Sequence, residues 1–185
     1  MSIMLALMLS IAEPAEAPSG PETFTPQGFR HSLSFEINAP RDEVFAAATG
    51  DVSPWWDHRF TPDPAELVIE PVFGGRFYER FTDDADDGAL HATVIYVNAP
   101  ETLRLDGPFG LSGRAVTKLV SWRLEEADDG AATVFHVDIA LSGEVDPAVA
   151  GIVSDVWRHF IGARLTPYVE AGCHLAPEER CAAWD

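Results

Sequence analysis

"VDPAVAGIVSDVWRHFIGARLTPYVEAG", residues 145–172, is the stretch on which the fold turns. Val149, Ile152, Val153, Val156, Trp157, Phe160 and Ile161 recur at steps of three and four, which puts them on one face of a helix. Pro147 stands where such a helix begins, since a first-turn residue needs no N–H partner, and Gly172 stands where it ends. Pro167 is expected to kink or tighten the last turns, because it cannot donate to the turn before it.

Upstream the period changes from helical to strand-like. "ELVIEP", "RFYERF", "ALHATVIYVN", "TLRLDG", "AVTKLVSWRLEE" and "ATVFHVDIALSG" are separated by turn signals such as Gly74-Gly75, "DDADDG", "APE", "GPFGLSG" and "ADDG". Connections this short predict an antiparallel meander of about six strands. Ahead of it, "HSLSFEIN" alternates Leu33, Phe35 and Ile37 with Ser34, Glu36 and Asn38, the pattern of a half-buried strand. In "APRDEVFAAATG", Pro40, Asp42 and Glu43 suit a helix start and Gly50 its stop. A second short helical piece is expected at Ser53, Pro54, Trp55 and Trp56. The whole predicts an α+β domain. One antiparallel sheet has an apolar face to cover, and the long C-terminal helix is the element large enough to cover it.

The 185 residues suit a single domain, and no internal repeat or later boundary divides them. Thirty acidic against twelve basic residues give a formal charge of −18, which repels phosphate backbones and argues against nucleic acid as a partner. Ile3 to Ala12 form an apolar run too short to span a bilayer but suited to an export signal. Ser10-Ile11-Ala12 and Ala15-Glu16-Ala17 offer small-residue exits, although no Lys or Arg precedes the run. Residues 1–17 are therefore expected to be a signal peptide, 18–30 a linker, 31–172 the domain and 173–185 a tail. The mature protein is expected to be periplasmic or secreted, or cytoplasmic if the run is no signal, without stable membrane insertion. Cys173 and Cys181 are the only cysteines, and both a disulfide between them and free thiols stay open. His174 lies between them, but a fourth metal ligand is missing nearby.

Three stretches in this order resemble the START-like (SRPBCC) superfamily, and within it the branch related to the heat-shock ATPase activator (AHSA-type). They are "FEINAPRDEVFAAATGDVSPWW", "VIEPVFGGRFYERF" and the final helix with its tryptophan. The resemblance implies a helix-grip fold, a curved antiparallel sheet wrapped around the C-terminal helix with two short helices after the first strand. It also implies a cavity between sheet and helix for a small hydrophobic molecule such as a lipid, fatty acid, polyketide or aromatic compound. It does not imply one reaction, since members include carriers, polyketide cyclases and co-chaperone domains. A carrier or sensor is the first reading, a cyclase- or dehydratase-like enzyme the alternative, and a co-chaperone-like interaction module the second alternative.

Trp55 and Trp56 would lie beside the cavity mouth, either lining it or capping the core. Phe73, Phe77, Phe81, Trp122, Trp157 and Phe160 are further candidates for the lining. Alternation puts Phe77 and Phe81 on one face with Glu79, and Arg76, Tyr78 and Arg80 on the other. That charged set faces water in the ordinary case; turned inward, Arg76 or Arg80 would clamp a carboxylate. The six histidines show no clustering in sequence, and no HExxH or HxH spacing is present, so neither a metal site nor a cofactor is expected. Asp57-His58 is the nearest approach to an acid–base pair, and with Arg76 and Tyr78 it completes the weak set of catalytic candidates.

Overall fold

The strand alternation of the sequence is realised as one eight-stranded sheet in which every neighbouring pair is antiparallel. The structure is a computed structural model and describes residues 20–84 and 86–175. The strands are β1 (Gln27–Ile37), β2 (Gly50–Asp51), β3 (Glu66–Ile69), β4 (Arg76–Arg80), β5 (Gly88–Asn98), β6 (Thr102–Asp106), β7 (Val116–Ala127) and β8 (Ala132–Gly143). They lie in the order β1-β8-β7-β6-β5-β4-β3-β2. The meander is therefore closed by the first strand, which returns beside the last with Gln27 opposite Gly143 and Ile37 opposite Thr133.

The final helical path starts with α2 (Pro147–Trp157), continues as a wider π-wound segment from Arg158 to Leu165, and ends as α3 (Thr166–Glu170). Asp146 caps its start, the carboxylate accepting the Ala148 N–H at 2.7 Å. Pro167 cannot donate to the turn before it, and the chain meets this by loosening rather than kinking. The Thr166 N–H reaches back to the Ile161 carbonyl, five residues away, and the Thr166 hydroxyl donates to the same oxygen at 2.8 Å. Gly172, at φ 72°, stops the path, with the Cys173 N–H returning to the Tyr168 carbonyl at 3.1 Å.

Inward residues of the sheet, among them Leu67, Phe77, Leu105, Val120, Trp122 and Phe135, meet Val153, Trp157, Phe160, Ile161, Leu165 and Val169 of the helical path in one buried cluster. This is the helix-grip arrangement.

Four expectations are corrected. The first strand begins at Gln27, inside the stretch expected to be linker, because Gln27 to Arg30 find partners on Ala140–Gly143 of β8. Only one helix, α1 (Arg41–Ala48), follows β1; the segment with the two tryptophans is a single turn, its Trp56 N–H donating to the Val52 carbonyl at 2.9 Å. Ile152 does not face the core but stays 60% exposed. A two-residue strand, β2, adds an edge that the sequence pattern did not suggest. Residues 1–17, the expected signal, lie outside the described residues, as does Cys181. Cys173 is fully buried and its sulfur is not a free thiol.

Candidate functional site

The loop after β2 and the α2–π junction face each other across a pocket of about 540 Å³. Trp56, Asp57, His58, Arg59 and Phe60 line it from the loop, and Ile152, Val153, Val156, Trp157 and Phe160 from the helix. The sheet contributes His91 of β5 and Lys118 of β7, and the short helical turn Phe109–Leu111 closes the remaining side. Half-exposed Phe60 and exposed Ile152 leave an apolar rim at the opening.

Aromatic packing builds the wall. Trp56 stacks on Phe160 with ring centroids 3.7 Å apart and meets Phe77 and Trp157 edge-on. Its indole N–H is satisfied by the His58 carbonyl at 3.1 Å, which leaves the ring faces for apolar contact. Trp55 turns the other way. It is buried, donates to the Ala47 carbonyl of α1 at 3.0 Å, and forms core rather than pocket.

The loop is held from beneath by Glu79, 1% exposed on the inward face of β4. Its carboxylate accepts the Phe60 N–H at 2.9 Å and the Thr61 N–H at 2.9 Å. Glu79 Oε2 also lies 3.4 Å from His91 Nε2, a charge contact not aligned as a hydrogen bond. His91 is 3% exposed and lies between the rings of Phe60 and Phe77. Burial pushes its imidazolium down, and the negative charge of Glu79 offsets that only in part.

Lys118 is the least expected member of the lining. It is 6% exposed, and its ammonium rests on ring faces, 4.4 Å from the Phe109 centroid and 5.7 Å from that of Trp157. Among the described residues Nζ has neither a hydrogen-bond acceptor nor a carboxylate partner. Burial pushes its pKa down to about 8.

At the mouth, Asp57 accepts from His58 Nδ1 at 3.0 Å and from His159 Nε2 at 2.7 Å, with Arg164 Nε 3.6 Å away. Burial would raise the Asp57 carboxyl, but the hydrogen bonds from His58 and His159, with the charges of His159 and Arg164, outweigh it and hold the group below its usual value. The histidines that look scattered in sequence are thus partly gathered, His58 and His159 having ring centroids 5.6 Å apart. The ligating atoms of Asp57, His58 and His159 lie within 4.8 Å of one another, with the positive charge of Arg164 already against the carboxylate.

Of the residues expected to line the cavity, Trp56, Trp157 and Phe160 do so, as do Asp57 and His58. Phe77 and Trp122 are buried on the same face but lie behind the lining, Trp122 packing edge-on against Phe135 with its N–H unpartnered among the described residues. Phe73 is 81% exposed, because it sits at the turn of the β3–β4 hairpin beside Gly74 at φ 77°. Phe81 falls one residue past the end of β4 and is half-buried away from the pocket.

Arg76, Tyr78 and Arg80 point outward. Arg76 pairs with Glu70 at 3.3 Å, the Tyr78 hydroxyl donates to Glu66 at 2.9 Å, and Arg80 pairs with Glu66 at 2.8 Å. They take no part in the pocket, so the inward clamp and the catalytic roles of Arg76 and Tyr78 fall away. Sequence reasoning missed Lys118 and His91. Lys118 was detectable, since it shares the period of Val120, Trp122 and Leu124, all inward on β7.

No family model matches this chain, and no curated protein does. Solved structures do. DynU16, a protein of the dynemicin biosynthetic locus, superposes with a TM-score of 0.54 and 23% identity over 77% of this chain and 48% of its own, so this chain spans about half of that protein. The Mll3558 protein from Rhizobium loti gives 0.54 and 16% identity, covering 80% of this chain and 99% of the other. CalU16 from Micromonospora echinospora gives 0.50 and 18%, covering 87% and 96%. At these identities the likeness establishes architecture alone, and it agrees with the sheet order and the gripped helix: the chain has the helix-grip fold.

Proposed function

We propose that the protein binds one small, largely apolar molecule in the pocket under the final helix, as a carrier or sensor. The observation that carries this reading is the pocket itself. About 540 Å³ of space stands beside stacked Trp56 and Phe160, with an exposed apolar rim at Phe60 and Ile152. A space of that size lined by aromatic faces is in the range of small-molecule sites. Purified protein should carry a co-purifying small molecule in native mass spectrometry, or bind methyl 4-phenylbutanoate with a change in tryptophan emission. Protein that carries nothing and does not respond to this ester overturns the reading.

A second reading is a cyclase- or dehydratase-like enzyme. It is favoured by the hydrogen-bonded Asp57–His58 and Asp57–His159 contacts at the pocket mouth, where a carboxylate and an imidazole can exchange a proton with a bound substrate. One structural neighbour comes from a biosynthetic locus, which is compatible with either reading. Product formation from a polyketide-type ketone, abolished by Asp57→Asn with ester binding retained, would select the enzyme over the carrier.

A further inference from the structure

Lys118 is an unusual group to place in an apolar pocket. An ammonium has three N–H donors, and burying it without acceptors is costly. Here, among the described residues, Nζ meets the faces of Phe109 and Trp157 and no acceptor. Its position is nevertheless fixed. Lys118 sits on the inward phase of β7, and its backbone carbonyl accepts the Gly107 N–H at 3.0 Å. Its side chain is too deeply buried to be solvated in the ordinary way, at 6% exposure.

The other charged groups around the pocket are already engaged. Asp57 is occupied by His58, His159 and Arg164. Glu79, behind His91, is held by the Phe60 and Thr61 N–H groups. Arg59 donates to the carbonyls of Ser53, Trp56 and Pro62. Among the described residues, then, no acceptor is left over for Nζ, and a bound molecule can supply one.

We infer that the ligand is an amphiphile with an aromatic or aliphatic body and one anionic oxygen group, a carboxylate in the simplest case. The carboxylate is received by Lys118 Nζ at the inner end of the pocket, while the body lies along Trp56, Trp157 and Phe160. This rests on the pocket reading above and adds the chemical class of its occupant. The chain as a whole carries a formal charge of −18, so long-range steering opposes an anion. That opposition is screened beyond roughly 8–10 Å in physiological salt, whereas the contact with Nζ forms at a largely buried group, where charge–charge attraction is stronger than in open water. Selection for the anion is accordingly local.

The test compares 4-phenylbutanoate with its methyl ester, which share a body and differ in charge, by titration at pH 7 following tryptophan emission. Wild type should bind the acid at least about tenfold more tightly than the ester. Lys118→Met should abolish that preference while leaving ester affinity within about threefold, and Lys118→Arg should retain it. In wild type the preference should fade as pH rises from 7 to 10.5, as the amine loses its proton, whether or not the variants fold. His91, the titratable neighbour on β5, is neutralised rather than charged over that range and cannot supply the cation.

Equal binding of acid and ester by wild type overturns the inference, as does an acid preference that survives Lys118→Met or remains constant to pH 10.5. Ester binding without acid binding defeats the anionic ligand alone and leaves the pocket reading standing. Failure of both compounds to bind defeats the two together.

Discussion

Trp56 and Phe160 stack nearly face to face, with centroids 3.7 Å apart and planes inclined by 19°. One ring belongs to the loop after β2 and the other to the π-wound part of the final helical path. The contact joins the two walls of the pocket, and it explains why the adjacent tryptophans of the sequence behave differently. Trp56 presents a ring to the pocket, whereas Trp55 is tied to α1 through its N–H bond to Ala47.

Trp56→Phe should weaken methyl 4-phenylbutanoate binding about tenfold, because a smaller ring removes lining area. It should also cost about 2 kcal/mol of stability, since the ring is buried and the His58 carbonyl loses its indole donor. Trp55→Phe should lower stability without touching affinity. It truncates a buried ring and leaves the Ala47 carbonyl unpaired, costing about 2 kcal/mol and lowering Tm by about 4–8 °C with affinity unchanged. Parallel titrations and melts of the two variants check this. A loss of affinity confined to Trp55→Phe would reverse the assignment.

Glu79→Gln tests how the loop is positioned. The carboxylate takes the Phe60 and Thr61 N–H groups, and an amide would turn one donor toward another. The variant should lose about 2 kcal/mol of stability. Hydrogen exchange at the amides of Phe60 and Thr61 should speed up, while amides in β7 and β8 change only as far as global stability does. Unchanged exchange at those two amides would show that the loop holds itself.

Much of this architecture was legible in the chain because period and punctuation agreed. The three- and four-residue steps from Val149 to Ile161 mark a helix, and Phe77 with Glu79 share the inward phase of β4 as alternation requires. The failures have local causes. Phe73 looks like core by composition, yet it lies in a hairpin turn whose backbone carries it into solvent. Ile152 fits the helical stripe, yet it lies at the edge where the pocket opens and no sheet residue covers it. Lys118 was passed over because a lysine in a strand is ordinarily on the wet face, even though Val120 and Trp122 place its phase inside. The joining of Asp57 with His159, 102 positions apart, depends on how the helix docks and leaves no trace in local spacing.

Phe73→Ser and Arg76→Ala should both leave ligand affinity unchanged. Phe73 is exposed and Arg76 lies on the outer face paired with Glu70, so each should leave the thermal melt almost unchanged. Ester titrations and thermal melts check both. A tenfold loss of affinity in either variant would mean that the binding site is not the pocket under the final helix.

Lys118 also makes a prediction about stability that needs no ligand. Its pKa falls from 10.5 to about 8 on burial, so the folded protein holds the proton less tightly than the unfolded chain does. Between those two values the unfolded state binds more protons, and stability must rise with pH. Below pH 8 both states carry the ammonium and the burial penalty is fully present, on the order of 3 kcal/mol. Above about pH 10.5 both are neutral and the penalty has gone. Lys118→Met, which fills the same space without charge, should therefore be more stable than wild type at pH 7 by up to about 3 kcal/mol. The advantage should shrink as pH climbs from 8 to 10.5. Taking the difference between the two proteins at each pH removes the titration of groups they share, apart from His91, whose imidazolium the Lys118 charge also disfavours and which titrates below this range. Urea unfolding at pH 7 and pH 10 measures the two gaps. A variant less stable than wild type at pH 7, or a gap that does not narrow, would mean that the ammonium is solvated where it sits, and that the pocket exerts no demand for an anion.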